Sequence, residues 1–112
     1  MQTNLICVKT CNGIFYYKPE EIIRCQASSN YTKFYFNNHK TLLVAKTLGQ
    51  YETLLNAYDF IRIHQSSLIN KTYIEKVQRN GSVILKDGSV LITSKRRKTF
   101  IKQQLQFLKT AS

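Results

Sequence analysis

The sequence predicts a mainly β domain with an antiparallel, hairpin-rich architecture, and three observations lead to this prediction. Three Asx-Gly pairs, Asn12-Gly13, Asn80-Gly81 and Asp87-Gly88, separate short runs rich in β-branched and aromatic residues. Such pairs favour tight hairpin turns because both residues tolerate positive φ. The run Tyr31–Phe36 alternates polar and apolar side chains, which is the period of a strand with one buried face. Apolar residues recur at helical spacing in only two segments.

The predicted strands follow one another along most of the chain. Pro19 ends the second strand because proline has no N–H for a sheet ladder. We predict that Cys25 is a small core residue on the inward face of its strand, beside Ile23 and Ala27. No strand is predicted over 65–70. The predicted strands are Leu5–Thr10, Ile14–Lys18, Ile22–Ala27, Tyr31–Phe36, Thr41–Ala45, Phe60–His64, Tyr73–Arg79, Ser82–Lys86 and Val90–Thr93.

Two helices complete the predicted fold. Thr47 opens the first, near 47–56, and Gln50 completes a capping box three residues later. Its sheet-facing residues are expected to be Leu48, Tyr51, Leu54 and Leu55. The second helix, near 95–108, begins after Ser94 as the N-cap residue. Its apolar residues at helical spacing are Ile101, Leu105 and Leu108.

The composition is that of one folded domain with a large positive charge. The chain has 112 residues, 43% hydrophobic and 21% charged, which suits a single core. Its 17 Lys+Arg against 6 Asp+Glu give a net charge of +11. Such a field attracts polyanions, of which nucleic acid is the commonest and an anionic membrane surface the rival.

The sequence also bears on the compartment in which the chain acts. No run approaches the roughly 20 apolar residues that span a membrane, and the N-terminus lacks a signal-peptide pattern. The three cysteines cannot all pair within one chain. We therefore expect a reduced, cytoplasmic protein.

A basic cluster occupies the predicted start of the last helix and consists of Lys95, Arg96, Arg97 and Lys98. Cations are unfavourable there because a helix N-terminus already carries partial positive charge. Four lysines also fall on one stripe about 60° wide at 3.6 residues per turn; they are Lys95, Lys98, Lys102 and Lys109. A local rule broken this consistently indicates a function. The alternative is an ordinary solvated helix face.

Two predicted loops are rich in side chains that bind bases and phosphates. They are Asn30-Tyr31-Thr32-Lys33 and His64-Gln65-Ser66-Ser67. Amide, imidazole and cationic side chains bond base edges, while hydroxyls suit phosphates. Each loop alone could be an ordinary polar turn, so their significance lies in combination with the basic cluster.

Three residues of the segment around the second loop have structural alternatives. Arg62 could pair with an acid such as Glu75. His64 could order its loop or contact DNA directly, and both interpretations stay open. Asn70 is expected to form a cap or turn and not a contact.

The residues that catalysis or metal binding would require are missing from the pattern. Ser66 and Ser67 follow His64 closely, but strand geometry does not make sequence neighbours into a nucleophile and base. Cys7 and Cys11 lack the CxxC spacing of zinc sites, and no glycine-rich phosphate loop is present. We therefore expect no enzyme activity, cofactor, metal site or small-molecule substrate.

Four stretches of the sequence together carry a family resemblance, and they are EEIIRCQASSNYTKFYF, LLVAKTLGQYETLL, FIRIHQSSLINKTYIEKV and VILKDGSVLITSKRRKTFIKQQL. The most specific parts are Phe60–Asn70, followed by Tyr73-Ile74, and then Ser94–Arg96. The stretches resemble the LytTR-type DNA-binding domains that form the output domains of bacterial response regulators. The resemblance covers 19–108 of a chain that we expect to be one domain over 1–112.

The resemblance implies an elongated stack of about three antiparallel sheets with around ten strands and one or two short helices. It also implies that loops enter successive major grooves of DNA. By motif position, base contacts fall on Arg96, on Gln65 and at Asn30-Tyr31. Gln65 replaces the Asn or Arg common in the family, which leaves its target base open. The additional Arg97 is expected to contact a phosphate.

The sequence therefore predicts sequence-specific binding of double-stranded DNA for transcriptional regulation. The expected partner is duplex DNA with tandem half-sites, bound by two copies that dimerise through a receiver domain outside these 112 residues. A fragment of a longer regulator and a stand-alone regulator both fit. One alternative is a single-strand or RNA binder that stacks bases on Tyr31 and Tyr35 beside Lys33. The other is a basic module for an acidic protein or a membrane.

Overall fold

The computed structural model describes residues 4–106, which form ten strands in three antiparallel sheets and two short helices. The predicted mainly β class and sheet number are confirmed. The helices are α1 (Leu48–Leu55) and α2 (Lys98–Gln106). The strands are β1 (Ile6–Thr10), β2 (Gly13–Tyr17), β3 (Ile22–Ser28), β4 (Tyr31–Phe36), β5 (Thr41–Val44), β6 (Phe60–His64), β7 (Ser67–Asn70), β8 (Ile74–Val77), β9 (Val83–Leu85) and β10 (Val90–Leu91).

The central element is a five-stranded sheet with the order β5-β4-β3-β7-β6. The β1-β2 hairpin and a three-stranded sheet of order β10-β9-β8 form the other two sheets. Gly81 and Gly88 have φ values of 94° and 91° in the turns that follow β8 and β9, as the Asx-Gly pairs predicted. The described residues extend over 44 × 37 × 24 Å.

The five-stranded sheet has a hydrophobic cluster on each face, and the second cluster covers only its β3, β7 and β6 side. The first cluster includes Cys25, Phe34 and Leu68 of the sheet with residues of the β1-β2 hairpin and α1. The second includes Ile61 and Ile69 with residues of the three-stranded sheet and α2. The central sheet is therefore the rigid support from which its end turns project.

Strand β7 was not predicted from the sequence. All four of its residues are buried between β3 and β6, although Ser67 and Asn70 are polar. The Ser67 hydroxyl donates to Gln26 Oε1 at 3.3 Å, and the Asn70 amide donates to the carbonyl of Ile22 at 3.0 Å. The strand is specified by its two partner strands and by these bonds, since its apolar content is only two residues.

The predicted position of Cys25 in the core is confirmed, but its predicted neighbour Ile23 lies on the other face of the sheet because of a β-bulge in β3. Cys25 is fully buried, and the burial raises the pKa of its thiol, as a core role requires. Ala27 packs with it in the first cluster, but Ile23 belongs to the second. The register shifts between Ile22 and Arg24, and the extra residue turns Ile23 to the opposite face.

Helix α1 packs on the first cluster through a narrower face than predicted. Leu48, Tyr51 and Leu55 are buried, whereas Leu54 is 41% exposed. At 100° per residue, Leu54 lies about 90° from the centre of that face. The Tyr51 ring meets Phe34 edge to face with centroids 4.7 Å apart, and burial raises the pKa of Tyr51 to about 12. Gln50 Oε1 accepts the Thr47 N–H at 3.3 Å, the predicted capping-box bond.

The C-terminal segment begins differently from the prediction. Residues Lys95–Arg97 form a 3-10 turn, and the α-helix starts only at Lys98. Ser94 occupies the N-cap position of that turn, but its side chain makes no capping bond. Ile101 is buried and Leu105 packs against the second cluster, while Leu108 and Lys109 lie outside the described residues. No helix in the described part is long and apolar enough to cross a membrane.

Candidate nucleic-acid interface

Two of the predicted loops lie side by side at one end of the five-stranded sheet. Strand β3 ends where β4 begins, with Ser28 paired to Tyr31. Strand β6 ends where β7 begins, with His64 paired to Ser67. Because β3 and β7 are antiparallel neighbours, the two turns lie next to each other at the same end of the sheet. The Ala27 N–H donates to the carbonyl of Ser66 at 2.9 Å. The topology thus brings together segments more than thirty residues apart.

The third predicted segment, the basic 3-10 turn Lys95–Arg97, is attached to the same end of β6. The Ser94 N–H donates to the carbonyl of Ile63 at 2.9 Å, and Arg97 Nη1 donates to the carbonyl of Arg62 at 3.2 Å. A cleft of about 610 Å³ lies between this turn and the β6-β7 turn. Its lining residues are Arg62, His64, Gln65, Ser94, Arg96, Arg97 and Phe100.

The two arginines of the basic turn differ in exposure and in their hydrogen bonds to the rest of the fold. Arg97 is half-buried, and its side chain donates to the carbonyl of Arg62. Arg96 is exposed, and its side chain makes no hydrogen bond within residues 4–106. Arg96 can therefore present its whole guanidinium fork to a partner, whereas Arg97 both anchors the turn and lines the cleft.

The lysines of the predicted stripe also differ in exposure. Lys95 and Lys102 are exposed, but Lys98 is half-buried. The Lys98 side chain lies against the β8-β9 turn, where a Cβ placed on Gly81 would be 2.8 Å from Lys98 Cε. Lys98 therefore packs through its alkyl chain, as long cationic side chains often do. Lys109 lies outside the described residues.

His64 orders the β6-β7 turn. Its Nδ1 accepts the N–H of Ser66 at 3.1 Å and lies 2.9 Å from the Ser66 hydroxyl. Because Nδ1 accepts, the proton of the neutral ring is on Nε2. The loop-ordering interpretation of His64 is thereby supported, and Nε2–H is the donor that the ring keeps for a ligand.

Arg62 has an acidic partner, but not the one expected. Its Nη1 donates to Glu52 Oε1 of α1 at 2.9 Å, and the prediction of Glu75 was wrong. Arg62 pairs with Leu68 across β6 and β7, on the sheet face that α1 covers. Glu75 belongs to the three-stranded sheet, which packs on the opposite face.

The β3-β4 turn presents Asn30 and Tyr31, and Tyr31 is 46% exposed. Lys33 is set back along β4, with its Nζ 5.2 Å from the ring centroid of Tyr35. The guanidinium of Arg24 lies 3.8 Å from the same centroid. These cation–π contacts cover the Tyr35 ring, so Tyr35 is not an open stacking surface.

Two residues of this region were not predicted from the sequence. Phe100 lines the cleft although it is 47% exposed. The sequence feature that could have indicated it is an aromatic residue that lies off the apolar face of the last helix. Glu52 is ten positions from Arg62, and no local pattern connects them. Within residues 4–106, no three His, Cys, Asp or Glu side chains are grouped closely enough to hold a metal ion.

Comparisons with known proteins agree with the observed fold. The family model for the LytTr DNA-binding domain matches residues 12–106. A solved structure, the LytTr DNA-binding domain of a protein assigned as a methyl-accepting/DNA response regulator from Bacillus cereus, superposes with a TM-score of 0.79. It is 19% identical and covers 95% of this chain and 100% of its own, which shows a shared fold. No curated protein matches the chain significantly.

Proposed function

Because this chain belongs to the family of LytTr DNA-binding domains, we propose that it binds a specific double-stranded DNA sequence and thereby regulates transcription. It acts as a single non-catalytic domain, over 1–112, in the output of a bacterial response regulator in the cytoplasm. The observation that carries the proposal is the convergence of three predicted segments at one end of the five-stranded sheet. A net charge of +11 supplies the long-range attraction to DNA.

In this proposal the turns enter the DNA grooves and the surrounding cations hold the backbone. Arg96 reads a guanine edge, because its planar fork matches the O6 and N7 acceptors in the major groove. The β6-β7 turn offers Gln65 for base edges, and the β3-β4 turn offers Asn30 and Tyr31. Phosphate contacts come from the remaining polar and basic side chains; they are Lys33, His64, Ser66, Lys95, Arg97, Lys98 and Lys102.

Selection of bound sites from a random duplex pool tests the proposal directly. We expect one sequence motif to be enriched and the selected duplex to bind at least about a thousandfold more tightly than random duplex at physiological salt, the low end of the range typical of specific recognition. The matching single strands are expected to compete poorly. No enrichment, or stronger competition by the matching single strands than by the duplex, would reject duplex recognition.

The single-strand alternative has a weaker basis in the geometry. Sequence-tolerant binding to single strands uses open aromatic rings as stacking surfaces. Of the tyrosines proposed for that role, Tyr35 is covered by Arg24. Tyr31 alone remains exposed at the turn. Binding to an acidic protein or membrane would rely on charge without a defined footprint, so a footprint on the selected duplex separates these alternatives.

We expect two copies of the domain to occupy tandem half-sites about 10.5 or 21 base pairs apart, one or two turns of the duplex. This spacing places both copies on the same side of the DNA. The domain alone is expected to be monomeric on a sizing column and to bind the paired site with 2:1 stoichiometry. A stable dimer without DNA, or tight 1:1 binding to the paired site, would contradict this arrangement.

Lys102→Ala is expected to weaken binding to all duplexes by a similar factor, because Lys102 is an exposed charge on α2 that suits a phosphate contact. The slope of log K against log salt should fall by about 0.9, the value for one lost phosphate contact. Lys40→Ala is the matched control, since Lys40 is exposed in the β4-β5 turn at the opposite end of the sheet. Equal slope changes in the two variants would remove Lys102 from the interface.

A further inference from the structure

Arg62 connects three parts of the molecule with one guanidinium group. Nη1 donates to Glu52 Oε1 of α1 at 2.9 Å, Nε donates to the carbonyl of His64 at 3.3 Å, and Nη2 donates to the carbonyl of Gln65. The Arg62 side chain is only 17% exposed. A rigid planar fork with several donors fixes the relative positions of its acceptors, which a lysine ammonium cannot do.

The carboxylate of Glu52 is unfavourable for DNA binding in itself. The chain has only six acidic residues, and Glu52–Arg62 is the one ion pair among residues 4–106. A negative charge close to the interface opposes the attraction to phosphates. The Glu52 side chain is 38% exposed, and pairs this accessible add little stability. The main effect of Glu52 is therefore to fix the orientation of the Arg62 guanidinium.

The acceptors of Arg62 lie in the turn that is proposed to read DNA. The carbonyls of His64 and Gln65 face Arg62, while the Ser66 N–H is bound by His64 Nδ1 at 3.1 Å and the Ser66 carbonyl by the Ala27 N–H at 2.9 Å. These four hydrogen bonds hold the turn in the conformation that the structure shows without DNA. Preorganisation of this kind raises affinity because ordering is not required on binding.

We propose that Glu52 is a positioning residue, which acts through Arg62 to hold the Gln65–Ser66 turn in its DNA-reading conformation. The DNA-binding consequence rests on the proposed function, but the conformational consequence does not. In physical terms, removing the acceptor on α1 frees the Arg62 fork to rotate, and the two turn carbonyls then lose their donor. Helix α1 thereby determines the shape of a surface that it does not itself form.

The conformational part can be tested by NMR on the DNA-free chain. In Glu52→Ala, we expect the amide signals of Gln65 and Ser66 to shift or broaden. Glu52→Gln keeps an acceptor oxygen while removing the same charge, so these signals should stay close to their wild-type positions. Glu75→Ala, which removes an exposed acid from β8, is the charge-matched control. Unchanged Gln65 and Ser66 signals in Glu52→Ala would overturn the proposal.

The functional part compares the variants on the selected duplex and its single-base changes. Glu52→Ala should bind the selected duplex about fivefold more weakly, a typical size for coupling between contacting residues. It should lose discrimination at the base positions affected by Gln65→Ala, while random-duplex affinity stays equal or rises. Equal losses in Glu52→Gln, or losses at the positions affected by Arg96→Ala, would overturn the proposal. If the wild-type chain selects no sequence, the proposed function fails, and the NMR measurement still decides the role of Glu52.

Discussion

Arg96→Ala is expected to weaken binding to the selected duplex by about 1–3 kcal/mol, and to have far less effect on a duplex in which the contacted guanine is changed. The reason is the contrast between the two arginines of the basic turn. The Arg96 side chain is exposed and makes no hydrogen bond within the described residues, whereas the Arg97 side chain donates to the carbonyl of Arg62. A whole guanidinium fork is thus available for a bidentate pair with one base.

The measurement is a set of binding titrations on the selected duplex and on variants changed at each base pair. Arg96→Lys keeps the charge but not the fork, so it should retain random-duplex affinity and the salt slope while losing discrimination at one position. Arg97→Ala is a less specific control, because it also removes a bond to β6. If Arg96→Ala weakens the selected and random duplexes by the same factor, Arg96 contacts a phosphate and the base assignment is wrong.

The features of the fold that could be predicted from sequence are those specified by neighbouring residues. The three Asx-Gly turns lie where they were expected, and the glycine of each has a positive φ. They could be predicted because the tolerance for positive φ is a property of the turn residues themselves. The capping-box bond from Thr47 to Gln50 was likewise predicted, since both partners lie within one helical turn. The burial alternation of Tyr31–Phe36 matches its sequence period.

The features that sequence did not predict depend on partners distant in the chain. Strand β7 has two apolar residues and becomes a central strand only because β3 and β6 lie on either side. The β-bulge that moves Ile23 to the second cluster leaves no mark in the alternation of β3. For the candidate site, the three segments were predicted individually, but the bonds that join them, such as Ser94 N–H to the carbonyl of Ile63, required the fold.

Asn70 illustrates how a polar residue inside the most specific motif can serve the fold and not the interface. The residue is 2% exposed, and its side-chain amide donates to the carbonyls of Ile22 at 3.0 Å and Pro19 at 3.4 Å. Its Oδ1 accepts the N–H of Thr72 at 3.1 Å and the Thr72 hydroxyl at 2.8 Å. The predicted capping role is confirmed. Asn70 is the last residue of β7 and lies at the end of the sheet opposite to the β6-β7 turn.

Asn70→Ala is therefore expected to lower the free energy of unfolding by about 2–4 kcal/mol, because it removes a cap and two buried hydrogen bonds to backbone carbonyls. Urea unfolding should show a lower midpoint with an unchanged slope. Thr72→Val, which removes only the hydroxyl bond to Asn70, should have a smaller effect. The folded fraction of Asn70→Ala should keep the base preferences of the wild type, because the interface is at the other end of β7. A changed base profile at wild-type stability would instead make Asn70 a DNA contact, and the motif around it would then be a recognition element along its whole length.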